Sequence, residues 1–358
     1  MRQLSVILTV LFVIVTCVSC SAGKDANPDS SAAETGTQVL VAVKKMTYET
    51  FEHFFLANGT VEAVNDAFIS SEINGQIKTI HVKEGQRVKK GQLLVSLNSD
   101  ITESTIAEVK TSLELAKTVY KKRKGLWDKN IGSEIQYLQA KTNKESLENR
   151  LKTLEAQLEM AKIKAPINGI VDEISRKEGE LAVPGFQLIR LVNLSKVYIN
   201  ADVSETYIPK VSKGDTVTVS FPSYPGLTID AVIYRTGNVV KSKNRTFLVQ
   251  VLLDNSEEKL KPNMVAVVKM KDFSRDDALV VPSIIIKNDL KGSYLYVVNE
   301  EEGKLKAGKT YVTPGMSEGS HTMITRGLEP GQQVIIKGYN LVKNGMEVKI
   351  ETKEPVEG

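Results

Sequence analysis

A chain of 358 residues is long enough for about two to four domains with separate cores. Its 41% hydrophobic and 25% charged residues are an ordinary globular balance, and a net charge of +4 lacks the concentration of basic groups that nucleic-acid binding needs.

The amino terminus, "MRQLSVILTVLFVIVTCVSCSAG", places Arg2 ahead of an uncharged apolar run from Leu4 to Val18 and then small residues, the pattern of a secretory signal peptide. The run is shorter than the roughly 20 residues of a membrane-spanning helix, so cleavage is expected rather than a permanent span. Val18-Ser19-Cys20 resembles a bacterial lipoprotein cleavage box, with Cys17 in place of the usual leucine, which implies that Cys20 becomes the lipidated first residue. Cys17 and Cys20 also form a CxxC, but Cys17 lies in the segment to be removed, which excludes a redox pair. Residues 1–19 are read as the leader and 20–38 as a flexible tether rich in Ser, Ala, Gly and Asp.

The stretch "NGQIKTIHVKEGQRVKKGQLLVSL" begins at Asn74 and recurs without a gap as "NGIVDEISRKEGELAVPGFQLIRL" from Asn168, at a constant offset of 94 residues. Gly75, Gly85 and Gly91 match Gly169, Gly179 and Gly185, with aliphatics at corresponding places between them. Each half reads as short alternating strands turning at glycines, and one half cannot bury its own face; the two should pack into a flattened sandwich. The pattern resembles the biotinyl and lipoyl carrier domains. In that resemblance the cofactor-bearing lysine position holds Ile101, and Met-Lys-Met is absent, so no cofactor is expected.

Residues 101–163 separate the halves and contain almost no glycine and no proline. Ile106, Val109, Leu113, Ala116, Tyr120, Arg123 and Trp127 follow 3-4 spacing, as do Tyr137, Ala140, Lys144, Leu147, Leu151, Leu154, Leu158 and Ala161. The spacing predicts two antiparallel helices with a coiled-coil seam, each on the order of 40 Å long, turning at "DKNIGS" with Ser133 as N-cap. The basic run "KTVYKKRKGLWDKN" near the tip is either a solvated face or a docking surface.

From Lys196 the chain turns to short β patterns, "KVYINADVSE", "DTVTVSF", "TIDAVIYRTG", "TFLVQVLL" and "MVAVVKM", as of a small antiparallel barrel, with a short helix expected in "TYIPKVSKGD". The last part, "LVVPSIII", "SYLYVVN" and "ITRGLEPGQQVIIKGYNLVKNGMEVKI", is again strand and turn, and the early strand "VLVAVKK" is expected to pair with it. "GKLKAGKT", Gly303 to Thr310, fits the spacing of a phosphate loop, yet it is followed by the β-favouring "YVTPG" and not by a helix; a hairpin turn is expected there. His53, His81 and His321 share no ligand spacing and no catalytic motif is present, so neither a metal site nor an enzyme is expected.

A lipoprotein leader and a split lipoyl-like domain with a helical hairpin inserted between its halves together resemble the periplasmic adaptor subunits, or membrane fusion proteins, of tripartite efflux pumps in Gram-negative cells. The resemblance implies a mainly β, elongated multidomain adaptor with an inserted antiparallel coiled-coil hairpin. The implied division is a membrane-proximal β domain from 39–49 and 273–352, a β-barrel from 50–62 and 196–272, a lipoyl-like domain from 63–100 and 164–195, and the hairpin at 101–163. It further implies an inner-membrane efflux transporter and an outer-membrane exit duct as partners, and a homo-oligomeric ring of three or six copies. Lys122, Leu126 and Ser133 fall at the spacing of the family's duct-docking residues, with Lys122 where the family has arginine and Arg123 beside it. The terminal string GLxPGxxVIIxG resembles adaptors of proton-driven resistance-nodulation-division pumps; an adaptor of an ATP-driven exporter is the alternative, and a carrier subunit or a structural surface lipoprotein are alternatives of another class. Mass spectrometry of the mature protein is expected to find Cys20 as its acylated first residue, and an unmodified Cys20 would remove the anchor.

Overall fold

The computed structural model describes residues 38–351; Cys20, the leader and nearly all of the tether lie outside the described residues. Two compact units divide the chain, one of residues 46–294 with 311–331 and the other of residues 38–45, 295–310 and 332–351. Both segments assigned by resemblance to a membrane-proximal domain therefore contribute to both units.

In the larger unit a barrel closes through six antiparallel strands. The 22-residue strand Glu49–Ser70 pairs on one side with Val265–Pro282 and on the other with Gln187–Ser204. Thr216–Ser220, Thr228–Lys241 and Thr246–Asp254 complete the circuit between those two. Alternation decides which side chains point inward: Val197, Ile199, Ala201 and Val203 are buried, and so are Phe247, Val249, Val251 and Leu253 opposite them. The expected helix in "TYIPKVSKGD" is shorter, a 3-10 turn over Glu205–Lys210 that stacks Tyr207 on Phe55 with ring centroids 3.8 Å apart. Pro209 lacks the N–H that a longer helix would use.

The strands Glu49–Ser70 and Gln187–Ser204 do not stop at the barrel. They run on as a two-stranded ribbon into the sandwich, with a register shift between Ala63 and Asn65. Burial changes there from one-sided to two-sided, and Leu188, Ile189, Leu191 and Val192 are all buried.

The sandwich is built by exchange between the repeated halves. Gly75–Ile80 pairs with Leu181–Ala182 of the second half, and Gly169–Ile174 with Arg87–Val88 of the first. The offset of 94 residues relates these pairings to one another, as it does the bonds Gly85 N–H to Val171 O (2.8 Å) and Gly179 N–H to Ile77 O (2.9 Å). The two Lys-Glu-Gly turns are reciprocal as well: the Glu84 carboxylate accepts the Ile174 N–H at 3.0 Å, and the Glu178 carboxylate accepts the Ile80 N–H at 2.8 Å. Gly85, Gly91, Gly179 and Gly185 have φ of +79°, +86°, +88° and +84°, a region that a Cβ disfavours. Gly75 and Gly169 instead begin strands, and a Cβ on Gly169 would come within 2.8 Å of Val192 O. The core repeats in the same way, with Ile77, Leu94 and Leu97 buried beside Val171, Leu188 and Leu191.

In the smaller unit, Val39–Lys45 pairs antiparallel with Gln333–Lys337 and parallel with Val348–Ile350, around buried Val41, Val334, Ile335 and Val348. The amino-terminal strand thus joins the carboxy-terminal segment. Glu302 and Gly303, both left-handed (φ +54° and +73°), turn the chain into the strand Lys304–Tyr311, so "GKLKAGKT" is a hairpin and not the start of a helix. Gly308 lies inside that strand, where a Cβ would meet the end of the Asn299 side chain at 2.5 Å.

Replacement of Glu84 by alanine should leave the Ile174 amide without its acceptor, and Glu178→Ala should do the same to Ile80. Loss of one such bond, worth about 1 kcal/mol, should speed hydrogen exchange at that amide about fivefold, with each substitution felt in the opposite half.

Candidate docking site at the hairpin tip

The chain leaves the sandwich at Asn98 as helix α1, Asp100–Trp127, and returns as α2, Glu134–Met160. Ile101, at the position that the carrier resemblance gives to a lysine, lies in the first turn of α1 with its side chain in solvent. The Asn98 side chain accepts the Asp100 N–H at 3.1 Å, in the manner of a helix cap. Lys78 donates to Asp100 at 2.7 Å, which raises the Lys78 ammonium above its ordinary value. At the other base Lys164 hydrogen-bonds Glu159 and holds that carboxylate below its ordinary value. Both pairs are exposed and orient the helices more than they stabilise them.

The helices meet along the seam that the 3-4 spacing predicts. Ile106, Val109, Leu113 and Ala116 of α1 are buried, and Ala140, Leu147, Leu151, Leu154 and Leu158 of α2 are half-buried against them. At ~1.5 Å per residue, 28 and 27 residues carry the tip about 40 Å from the base. Toward the tip the seam turns aromatic. Tyr137 lies between Tyr120 (centroids 5.9 Å apart) and Trp127 (6.2 Å), and the Lys144 ammonium sits 5.2 Å from the Tyr120 ring centre. A hydrogen bond with the Tyr120 hydroxyl raises the Tyr137 phenol from its ordinary value.

The turn is a Schellman motif. Ile131 N–H donates to Leu126 O at 2.9 Å and Asn130 N–H to Trp127 O at 2.8 Å, while Asn130 takes the left-handed conformation at φ +57°. Gly132 follows at φ +104° and Ser133 is extended. Ser133 occupies the N-cap position of α2, but its hydroxyl makes no capping bond; its carbonyl accepts the Gln136 N–H at 3.1 Å.

Of the residues singled out for docking, Lys122 and Leu126 are exposed on α1, and Arg123 lies in the seam and donates to Gln136 at 2.7 Å across the hairpin. Arg123 is thus engaged within the hairpin, while Lys122 keeps its ammonium in solvent. Leu126 is 41% exposed, and the structure adds apolar residues that the seam-based reading passed over: Ile131 at 56% and Ile135 at 61%, with Leu138 also exposed. Their signal was present in the sequence, since Ile131, Ile135 and Leu138 keep a 4-3 spacing out of register with the seam. The tip therefore offers aliphatic side chains beside Lys121, Lys122 and Lys124, a surface with apolar contact area and positive charge but no catalytic group.

No chemical centre competes with it among the described residues. His53 Nδ1 lies 2.5 Å from Asp272, His81 Nε2 2.8 Å from Ser96, and His321 beside Ser320, so the three histidines take three separate partners. No group of three His, Cys, Asp or Glu among the described residues could hold a metal ion, and no described helix is long and apolar enough to cross a membrane.

Comparison with known proteins places these elements. Residues 196–274 match a CusB-like β-barrel domain, residues 102–160 a CzcB-like α-helical hairpin domain, and residues 278–350 a YknX C-terminal permuted SH3-like domain. The toluene efflux pump periplasmic linker protein TtgA of Pseudomonas putida is 25% identical over 358 residues, covering 94% of this chain and 90% of its own. The macrolide export protein MacA of Yersinia pestis is 23% identical over 325 residues, with 82% and 87% covered. Among solved structures, a MacA–MexA chimera carrying the Pseudomonas aeruginosa MexA α-hairpin shares the fold with a TM-score of 0.62 at 24% identity, over 67% of this chain and 88% of that one. MacA from Actinobacillus actinomycetemcomitans does so with a TM-score of 0.59 at 22% identity, over 82% and 99%. A mainly β chain with one helical hairpin between two half-sandwiches is the build of a multidomain adaptor. On these matches the chain is similar, along nearly its whole length, to the membrane fusion proteins, the periplasmic adaptors of efflux pumps.

Trp127 is the single tryptophan of the chain, so its fluorescence reports the tip without a label. Tyr137→Ala should remove both ring contacts, lowering hairpin stability by about 1–2 kcal/mol and shifting Trp127 emission to the red, whereas Tyr137→Phe should leave the emission close to wild type.

Proposed function

We propose that this protein joins a proton-driven inner-membrane efflux transporter to an outer-membrane exit duct, so that drugs or other small molecules leave the cell. The observation that carries the reading is the tip itself. Leu126, Ile131, Ile135 and Leu138 stand exposed beside lysines at the end of a hairpin about 40 Å long, outside its buried seam. A surface of this composition, at the end of an arm, fits a protein partner out of reach of the β domains.

In this reading Lys122, Leu126 and Ser133 meet the duct, Lys122 supplying charge without the planar fork of an arginine, and the barrel and terminal β domains meet the transporter. Copies of the chain assemble as a ring of three or six, and the lipid on Cys20 holds the amino terminus at the inner membrane. The protein has no reaction of its own and takes its energy from the transporter. The transporter class rests on the terminal GLxPGxxVIIxG string alone, and the tip would serve an ATP-driven exporter equally well.

A photo-crosslinking residue at Leu126 in living cells, followed by mass spectrometry, should capture an outer-membrane duct protein, and Leu126→Asp should abolish export while leaving the β domains folded. Capture of only soluble proteins by a folded, lipidated chain would overturn the duct contact. Co-purification from the same cells should bring down a proton-driven permease; an ATPase in its place would reassign the transporter and leave the adaptor role standing.

A further inference from the structure

Where the ribbon passes from the sandwich to the barrel, a loop of the barrel reaches back. The loop follows Asp254, and its first residue, Asn255, is only 5% exposed. The Asn255 side chain donates to Leu194 O and Leu260 O, each at 2.8 Å, and accepts the Leu260 N–H at 3.0 Å. The far end is tied to the ribbon by the bond from Asn263 N–H to Val61 O at 2.8 Å. Within this frame Glu258 is held at φ +53°, a left-handed conformation that is uncommon for a residue with a side chain and that glycine would adopt without penalty.

The retained side chain has a definite partner. Both carboxylate oxygens of Glu258 accept from Arg87 in the sandwich, Nη1 to Oε1 at 2.7 Å and Nη2 to Oε2 at 2.6 Å, the two-pronged geometry that suits guanidinium and carboxylate. Arg87 belongs to the short strand paired with Gly169–Ile174, so the bond crosses from one domain to the other. The pair is unevenly exposed, with the Arg87 side chain largely in solvent and the Glu258 side chain 23% exposed. Clefts of about 460 Å³ and about 410 Å³, both lined by Glu258, open beside it, and the Arg87 side chain is 73% exposed. The ribbon that joins the two domains carries its register shift between Ala63 and Asn65, in the same junction.

We propose that Arg87 and Glu258 form a releasable clasp that sets the angle between the lipoyl-like sandwich and the barrel, with the irregular ribbon as its hinge. A surface ion pair with one partner largely in solvent shifts an equilibrium by about two- to fivefold, enough to favour one angle and weak enough to open. Its use in an adaptor, passing a transporter's motion toward the hairpin, rests on the proposed function; the clasp itself does not, and its test needs no partner.

The test places spin labels at Lys177→Cys in the sandwich and Lys243→Cys in the barrel, both exposed positions, on the full chain in detergent with Cys17→Ser and Cys20→Ser. Pulsed dipolar spectroscopy should give a narrow distance distribution at low salt. Arg87→Gln and Glu258→Gln should each broaden it, 1 M NaCl should broaden the wild type to the same degree, and the exchanged pair Arg87→Glu with Glu258→Arg should narrow it again. Glu258→Gly should broaden the distribution with an unchanged or raised Tm, because it removes the clasp and relieves the backbone together. Equal widths in wild type, single variants and high salt would overturn the clasp. So would a lowered Tm in Glu258→Gly, which would assign the side chain to folding of its loop.

Discussion

The structure depends on one constraint: neither half of the repeated sandwich can bury its own apolar face. The two halves satisfy it by exchange, each lending a short strand to the other and each placing a glutamate carboxylate on the other's backbone. Because both halves must be complete before either core closes, everything between them has to leave and come back to nearly the same place. An antiparallel helical hairpin meets that demand, since its ends lie side by side at whatever length its arms have.

The same logic runs in the other direction along the chain. The strands that enter and leave the sandwich, Glu49–Ser70 and Gln187–Ser204, are also barrel strands, and the first of them closes the barrel by pairing on both of its edges. The chain crosses the seam between the domains as a hydrogen-bonded ribbon instead of a loose linker. The irregular part of that ribbon, where the loop carrying Glu258 is attached, is the hinge of the proposed clasp.

The hairpin separates support from contact. Its lower seam is aliphatic, and near the tip Tyr120, Tyr137 and Trp127 stack with Lys144 over the Tyr120 ring, a bulkier filling where the helices have no domain beneath them. The turn is closed by backbone bonds and by Asn130 in the left-handed region, so Leu126 and Ile131 are positioned by the main chain and remain free to meet a partner.

Much of this was legible in order. The repeat at a constant offset required two half-sandwiches, and the 3-4 spacing from Ile106 to Ala161 required a hairpin seam. These are short-range periodicities, and periodicity reports which face of an element is buried without needing to know what buries it. The structure alone decided which partners meet across the fold. Glu84 and Glu178 in the Lys-Glu-Gly turns have no partner legible in the sequence, and the backbone amides they accept from came into place only with the fold; Arg123 likewise meets Gln136 only when the two helices lie side by side. Glu258 lies 171 residues from Arg87 in the chain, and nothing local to either residue announces the other. An isolated stretch of sequence determines its own pattern of burial; the pairing of charges and amides between distant stretches is set only when the strands that carry them have been brought side by side.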